Sequence, residues 1–206
     1  MSKSTIIIIE VVLAMIIFGS IFFKATSNPP PSPVADPMAD HHKPKAADTS
    51  IFSALLNQPA PDFSLSSYDS KKISLSGFKG KNVLLFFNEG LMCYPACWDQ
   101  IAAFGADGGF AAANTVVLSI TVDPQSQWQQ AIAKMPKLAA ATVLLDTQKE
   151  ASTKYGVLSL ESSMHRGQFP GHTYVLIDAS GVVRYLLDDP TMATRNQQLQ
   201  AEIAKL

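Results

Sequence analysis

The chain has 206 residues and a formal net charge of -1. That length accommodates one domain with appendages or two small domains, and nothing in the near-neutral balance suggests a nucleic-acid surface. Hydrophobic residues make up 47% and include eleven phenylalanines, ample for a core, whereas two cysteines are too few for a disulfide-stapled scaffold.

Residues 5–23 are almost entirely apolar, running IIIIEVVLAMIIFGSIFF from Ile6, with Glu10 as the single charge. As a helix this run would be about 28 Å long, close to the hydrocarbon thickness of a bilayer. A cleaved signal peptide is the competing reading; the run is long for one and no clear small-x-small site follows it. Residues 1–24 are therefore expected to be a single transmembrane signal anchor. The short leader before a long C-terminal part suggests an N-in orientation, with the remainder outside the cytoplasm. Residues 25–50 hold Pro29, Pro30, Pro31, Pro33, Pro37 and Pro44 and no aromatics. This composition reads as a flexible tether. Met38, His41 and His42 within it could touch a metal, although adjacent histidines in such a segment are commonly incidental.

From residue 51 onward, patterned segments alternate. Residues 57–65, NQPAPDFSL, form a turn leading into a short strand, and Lys72-Ile73-Ser74-Leu75 alternates as its hairpin partner. The apolar run Val83-Leu84-Leu85-Phe86-Phe87 has the length of a strand covered on both faces. A helix is expected to follow to about Ala106, ended by Asp107-Gly108-Gly109. Residues 115–122 form a second strong strand, stopped by Asp123-Pro124. Residues 126–135 read as a helix with Trp128, Ile132 and Met135 on one face. Residues 142–145 form a strand, 149–155 a short helix stopped by Gly156, 172–178 and 182–187 a hairpin, and 194–206 a closing helix. The order ββ, then βαβαβαββα, predicts a layered α/β domain with a mixed sheet flanked by helices. No Gly-rich phosphate loop follows a strand, so nucleotide binding is not expected.

The chemistry lies in residues 83–100, VLLFFNEGLMCYPACWDQ. Asn88-Glu89-Gly90 breaks the strand, and Cys93 and Cys97 follow. If helical, a spacing of four puts both cysteines on one face with Cα atoms about 6 Å apart, within disulfide range. A thiol at a helix N-terminus has its pKa lowered by the helix dipole. Cys93 is thus the expected nucleophile and Cys97 its resolving partner, with Pro95 stiffening the loop and Trp98 shielding the second sulfur. The two cysteines could instead be buried hydrophobes or a structural bridge.

Over residues 51–206 the chain resembles the thioredoxin-fold redoxin superfamily. NQPAPDFSL is similar to the opening of the AhpC/TSA (peroxiredoxin) and membrane-anchored TlpA-type families. KNVLLFFNEGLMCYPACWDQI resembles their strand–Cys–helix segment, LSITVDP their next strand, and GHTYVLIDASGVVRY their penultimate hairpin. The resemblance implies a thioredoxin-like fold with an N-terminal β-hairpin. Peroxiredoxins usually carry Thr or Ser three residues before the reactive cysteine, where Gly90 or Tyr94 stands here, and an Arg at the position matched by His172. Thioredoxins and TlpA-type proteins have Cys-x-x-Cys and a cis-proline where His172 stands, the nearest proline here being Pro170. Sco/SenC proteins have Cys-x-x-x-Cys and a later His that bind copper; Cys93, Cys97 and His172 match that order, although Trp98 replaces a usual Pro.

These resemblances together imply a membrane-anchored thiol–disulfide oxidoreductase cycling Cys93 and Cys97. His172 is expected to tune the pair, the partner to be a thiol or disulfide protein, and no cofactor is needed. One alternative is a Cu(I)-binding assembly factor using Cys93, Cys97 and His172, a donor set that suits a soft cation. Another is an atypical thiol peroxidase. His172 could also be simply a hydrogen-bonded residue at a strand start, and His165 beside Met164 is a weaker candidate ligand.

Overall fold

The two faces of the central strand organise the domain. In β3 (Asn82–Phe87) successive side chains point to opposite sides of the sheet. Val83, Leu85 and Phe87 enter one core and Leu84 and Phe86 the other. All five are essentially sealed from solvent. Each such Leu or Phe contributes about 1.5–3 kcal/mol by burial, so a double-sided apolar run commits this segment to the middle of a sheet.

The computed structural model describes residues 46–206. The expected anchor over 5–23 and most of the expected tether, with Met38, His41 and His42, lie outside the described residues. Among the described residues, no helix is long and apolar enough to cross a membrane. The backbone N–H of Asp48 donates to Ser159 O. Helix α1 (Ser50–Ala54) begins one residue inside the segment expected to be tether, burying Phe52.

The remaining strands are β1 (Ser64–Ser67), β2 (Lys72–Ser74), β4 (Thr115–Thr121), β5 (Val143–Leu145), β6 (Thr173–Ile177) and β7 (Val183–Asp188). They form one mixed sheet in the order β2-β1-β5-β4-β3-β6-β7. β3, β4 and β5 run parallel, β6 is antiparallel to β3 and β7 antiparallel to β6, and the β1–β2 hairpin adds antiparallel to β5. The expected mixed α/β sheet with its N-terminal hairpin is therefore present.

Helices cover both faces. On one lie α2 (Ala96–Ala106), α4 (Gln125–Lys134) and α6 (Asn196–Ile203), supplying Ile101, Phe104, Trp128, Ala131, Leu199 and Ile203 to a core that also holds both cysteines. On the other lie α1 and α5 (Glu150–Lys154) with Tyr155. Trp128 is fully buried while Ile132 and Met135 pack at the edge. After Asp107 the chain makes a further short helix, α3 (Gly109–Ala112), where a simple stop was expected.

Candidate active site

The site lies at the C-terminal end of β3. The chain leaves Phe87, makes a 3-10 turn over Gly90–Met92, and enters α2 only at Ala96. Cys93 therefore ends the 3-10 turn and lies outside the helix, correcting the expectation that the helix entrance begins with it; Cys97 is in the first helical turn. The helical spacing nevertheless survives, because Cys97 N–H donates to Cys93 O at 2.9 Å, closing one α-type turn. The two Cα atoms are 5.4 Å apart and the sulfurs are joined in a disulfide. Pro95, after a cis peptide bond, is exposed and lends its carbonyl to Asp99 N–H at 2.8 Å. Trp98 is buried, and its indole N–H donates to Gly90 O at 3.1 Å, tying the first turn of α2 back to the loop.

Gly90 has φ +57, and a Cβ there would overlap the Asp123 carboxyl and the Thr121 hydroxyl. Only glycine fits both the backbone and the space. Asp123 accepts the Leu91 N–H at 3.0 Å and the Thr121 hydroxyl. Burial raises the Asp123 pKa, opposed by those two hydrogen bonds. Glu89, fully buried, reaches the other way. It accepts from Met164 N–H at 2.6 Å, His165 N–H at 3.1 Å and Ser163 Oγ at 3.2 Å, and meets His165 Nδ1 at 3.1 Å. His165 is thereby a partner of Glu89, and Met164 is exposed at the surface.

His172 immediately precedes β6. Register pairs Phe87 with Thr173 and Phe86 with Tyr174, which carries His172 to the mouth of the cysteine loop. Its Nδ1 lies 3.5 Å from Cys97 Sγ and its Nε2 2.7 Å from Tyr174 Oη. Phe86 stacks on Tyr174 at 4.8 Å and meets the imidazole edge-on at 4.7 Å. Burial drives the His172 pKa down to about 4, against the opposing pull of Asp189 and the Ala193 carbonyl. The ring is thus a neutral imidazole near pH 7. Burial likewise raises the Tyr174 pKa, with Asp189 adding to it, and keeps the phenol protonated.

The loop after β7 closes the site. Asp189 binds Arg195 through both carboxylate oxygens at 2.7 and 2.9 Å and also accepts the Thr191 hydroxyl at 2.6 Å. Burial opposes the Asp189 charge, but these partners outweigh it and hold the carboxyl at about 2. Met192, at φ +51, places Sδ 3.8 Å from Cys93 Sγ. Cys93 is 3% exposed and Cys97 fully enclosed. Beside the cysteine loop, Leu91, Tyr94, Trp98 and Met135 line an open groove of about 580 Å³ with Lys134 on its wall.

The expected residues Cys93, Cys97, His172 and Trp98 thus converge. Glu89, Gln100, Tyr174, Asp123 and Met192 were not singled out from sequence. Gln100 and Tyr174 had a usable signal, lying three residues after Cys97 and two after His172. The sulfur and imidazole nitrogen atoms of Cys93, Cys97 and His172 fall within 4.8 Å of one another. Chemically, the arrangement can break and remake a disulfide beside a neutral base, or in its reduced form present two thiolates and an imidazole to a soft cation.

Comparison with known proteins identifies the family. The chain is 31% identical over 153 residues to chloroplastic peroxiredoxin Q of Triticum aestivum, covering 70% of this chain and 65% of that protein. It is 32% identical over 149 residues to peroxiredoxin-2 of Rattus norvegicus, covering 65% of this chain and 69% of that one. The match therefore spans about two thirds of the length of these relatives. The mitochondrial 2-Cys peroxiredoxin of Plasmodium falciparum superimposes with a TM-score of 0.61 at 25% identity, covering 73% of this chain and 93% of that one. The sequence profile of the AhpC/TSA family matches residues 56–186, more than half of the chain, and the chain belongs to that family.

Proposed function

We propose that this protein is a peroxiredoxin-type thiol oxidoreductase that reduces hydroperoxides by cycling Cys93 and Cys97 between dithiol and disulfide. The observation that carries the reading is the Cys93–Cys97 disulfide at the end of β3 in an AhpC/TSA scaffold. In the oxidising half, the Cys93 thiolate attacks the distal oxygen of ROOH; the O–O bond breaks, and the alkoxide takes a proton to leave as ROH. Cys93 is then a sulfenic acid. The Cys97 sulfur displaces its hydroxyl, the Cys97 proton leaves with that hydroxyl as water, and the disulfide forms. A dithiol protein or small thiol returns the two electrons by exchange.

The assignment of Cys93 as the attacking sulfur is supported by its position nearer the surface, between exposed Met92 and Tyr94. The adjoining groove offers apolar room for the organic part of a hydroperoxide or for a partner's side chains. Neither Thr nor Arg stands where peroxiredoxins place them. Turnover is therefore expected to depend on this chain's own loop, and direct disulfide exchange with a protein is the finer alternative.

The test is peroxide consumption by the full-length protein with a thiol reductant. The reading expects turnover that Cys93→Ser abolishes and Cys97→Ser reduces. Turnover retained in Cys93→Ser would overturn it.

A second reading, Cu(I) binding, is favoured by the clustering of Cys93, Cys97 and His172, with the Met192 thioether 3.8 Å from Cys93 Sγ. All four donors suit a soft cation once the pair is reduced. Stoichiometric Cu(I) uptake weakened by His172→Ala would support this reading, and absence of uptake by the reduced protein would remove it. We also propose a single-pass anchor over residues 5–23 with the domain outside the cytoplasm, supported by that apolar run. Alkaline phosphatase fused after Leu206 should then be active, and an expressed but inactive fusion would contradict the orientation.

A further inference from the structure

Whether His172 can serve Cys97 depends on which ring nitrogen carries the proton, because in neutral imidazole one nitrogen donates and the other accepts. The partners of Gln100 settle this from two ends. The Arg195 backbone N–H can only donate, and it donates to Gln100 Oε1 at 2.7 Å. At the other end, Gln100 Nε2 donates to Asn196 Oδ1 at 2.8 Å. The Asn196 amide is itself oriented, since its Nδ2 donates to Ala103 O at 3.2 Å and to Asp107 Oδ2 at 2.8 Å, two oxygens that can only accept. The Gln100 oxygen therefore faces Tyr174.

Tyr174 Oη lies 2.9 Å from that oxygen and 3.5 Å from the Ala193 carbonyl. Both are acceptors, so the single phenolic proton is directed to one of them and away from His172. Turning it toward the imidazole would leave two buried oxygens 2.9 Å apart with no proton between them, at a cost of about 1–3 kcal/mol. The Tyr174 oxygen is then left to accept from His172 Nε2, 2.7 Å away. Nε2 bears the hydrogen, and Nδ1 turns an unshared pair toward Cys97 Sγ at 3.5 Å.

We propose that Gln100 and Tyr174 are positioning residues that lock His172 in its Nε2–H tautomer, so that Nδ1 accepts a hydrogen bond from the Cys97 thiol in the reduced protein. This deepens the thiol reading above and rests on it only for its kinetic consequence. The imidazole serves the buried resolving sulfur, leaving Cys93 to meet the oxidant or partner. Aligning the Cys97 thiol along the line to Nδ1 fixes the sulfur from which the disulfide forms.

The direct test is long-range proton–nitrogen NMR of the full-length, 15N-histidine-labelled protein, with the His172 signals assigned by their loss in His172→Gln. The wild type should show a protonated Nε2 and an unprotonated Nδ1. Gln100→Leu should admit the Nδ1–H form and slow disulfide closure after oxidation of Cys93 by about tenfold. Tyr174→Phe, which removes the oxygen that Nε2 donates to, should do the same. A wild-type Nδ1–H tautomer would overturn the lock even if peroxidase activity were present. Lack of peroxidase activity with the Nε2–H tautomer would overturn the thiol peroxidase reading and leave the lock standing. Tautomers unchanged in a folded Gln100→Leu would show that Gln100 does not set them.

Discussion

His172 holds Nδ1 3.5 Å from the sulfur of Cys97, a residue 75 positions away in the chain. The two meet because β6 lies antiparallel against β3, so the residue before β6 stands at the end of β3 where the cysteine loop begins. Cys93, on the outer side of the same disulfide, is contacted by Met192 instead. The sulfurs therefore have different surroundings and are expected to behave differently.

That asymmetry sets the first prediction. With a small aromatic disulfide as oxidant, Cys97→Ser should accumulate a stable mixed disulfide on Cys93. Cys93→Ser should react more slowly, by about 10²-fold, because its remaining thiol is enclosed. Intact-protein mass measurement over time reads both. Equal rates would contradict the division of roles.

Gly90 should tolerate no side chain. Gly90→Ala must place a Cβ into the Asp123 carboxyl and Thr121 hydroxyl while keeping φ at +57. The backbone term costs about 1–2 kcal/mol and the overlap about 1–3 kcal/mol more. Chemical denaturation should show a loss of that combined size, and an unchanged midpoint would mean that the loop readily moves aside.

Glu89 should govern the order of the Ser163–His165 segment. Its carboxylate takes the amide hydrogens of Met164 and His165, so Glu89→Ala leaves both without an acceptor. Hydrogen exchange at these two amides should accelerate by at least about tenfold, with the β3 amides unaffected. Uniform acceleration across the sheet would instead indicate global destabilisation.

Asp189 supplies an acid dependence. Its carboxyl is held at about 2, below the ordinary carboxylate value of 3.8. The native state therefore binds fewer protons than the unfolded chain between these values. The stability contributed by Asp189 is fully present above pH 4 and declines as pH falls toward 2. The difference in stability between wild type and Asp189→Asn should accordingly be constant at neutral pH and shrink below pH 4. A difference that grew on acidification would have the wrong sign.

The middle of the sheet was readable from sequence because its strands are apolar runs followed by Gly, Asp or Pro, and the β1–β2 hairpin because its short strands alternate. Val83–Phe87 and residues 115–121 are the clearest. Cys93 and Cys97 were evident as a pair, but the start of the helix was not. Gly90–Met92 forms its own turn through contacts to Asp123 and Trp98, which lie far along the chain or depend on how the loop folds. Gln100 and Tyr174 escaped notice for a similar reason. Each stands close to a site residue in sequence but is otherwise an ordinary polar residue, Tyr174 within a strand buried on both faces, and their pairing appears only when α2, β6 and the loop before α6 are packed together. Glu89 looked like part of a strand breaker until the Ser163–His165 amides closed around it.

The central claim is that the Cys93–Cys97 pair is a working peroxide-reducing couple. The most direct measurement is stopped-flow thiol loss in the fully reduced, full-length protein on mixing with hydrogen peroxide, with the product identified by mass. The account expects a second-order constant at least about 10²-fold above that of free cysteine, with loss of two thiols and formation of the Cys93–Cys97 disulfide. A rate equal to that of an ordinary thiol would contradict it.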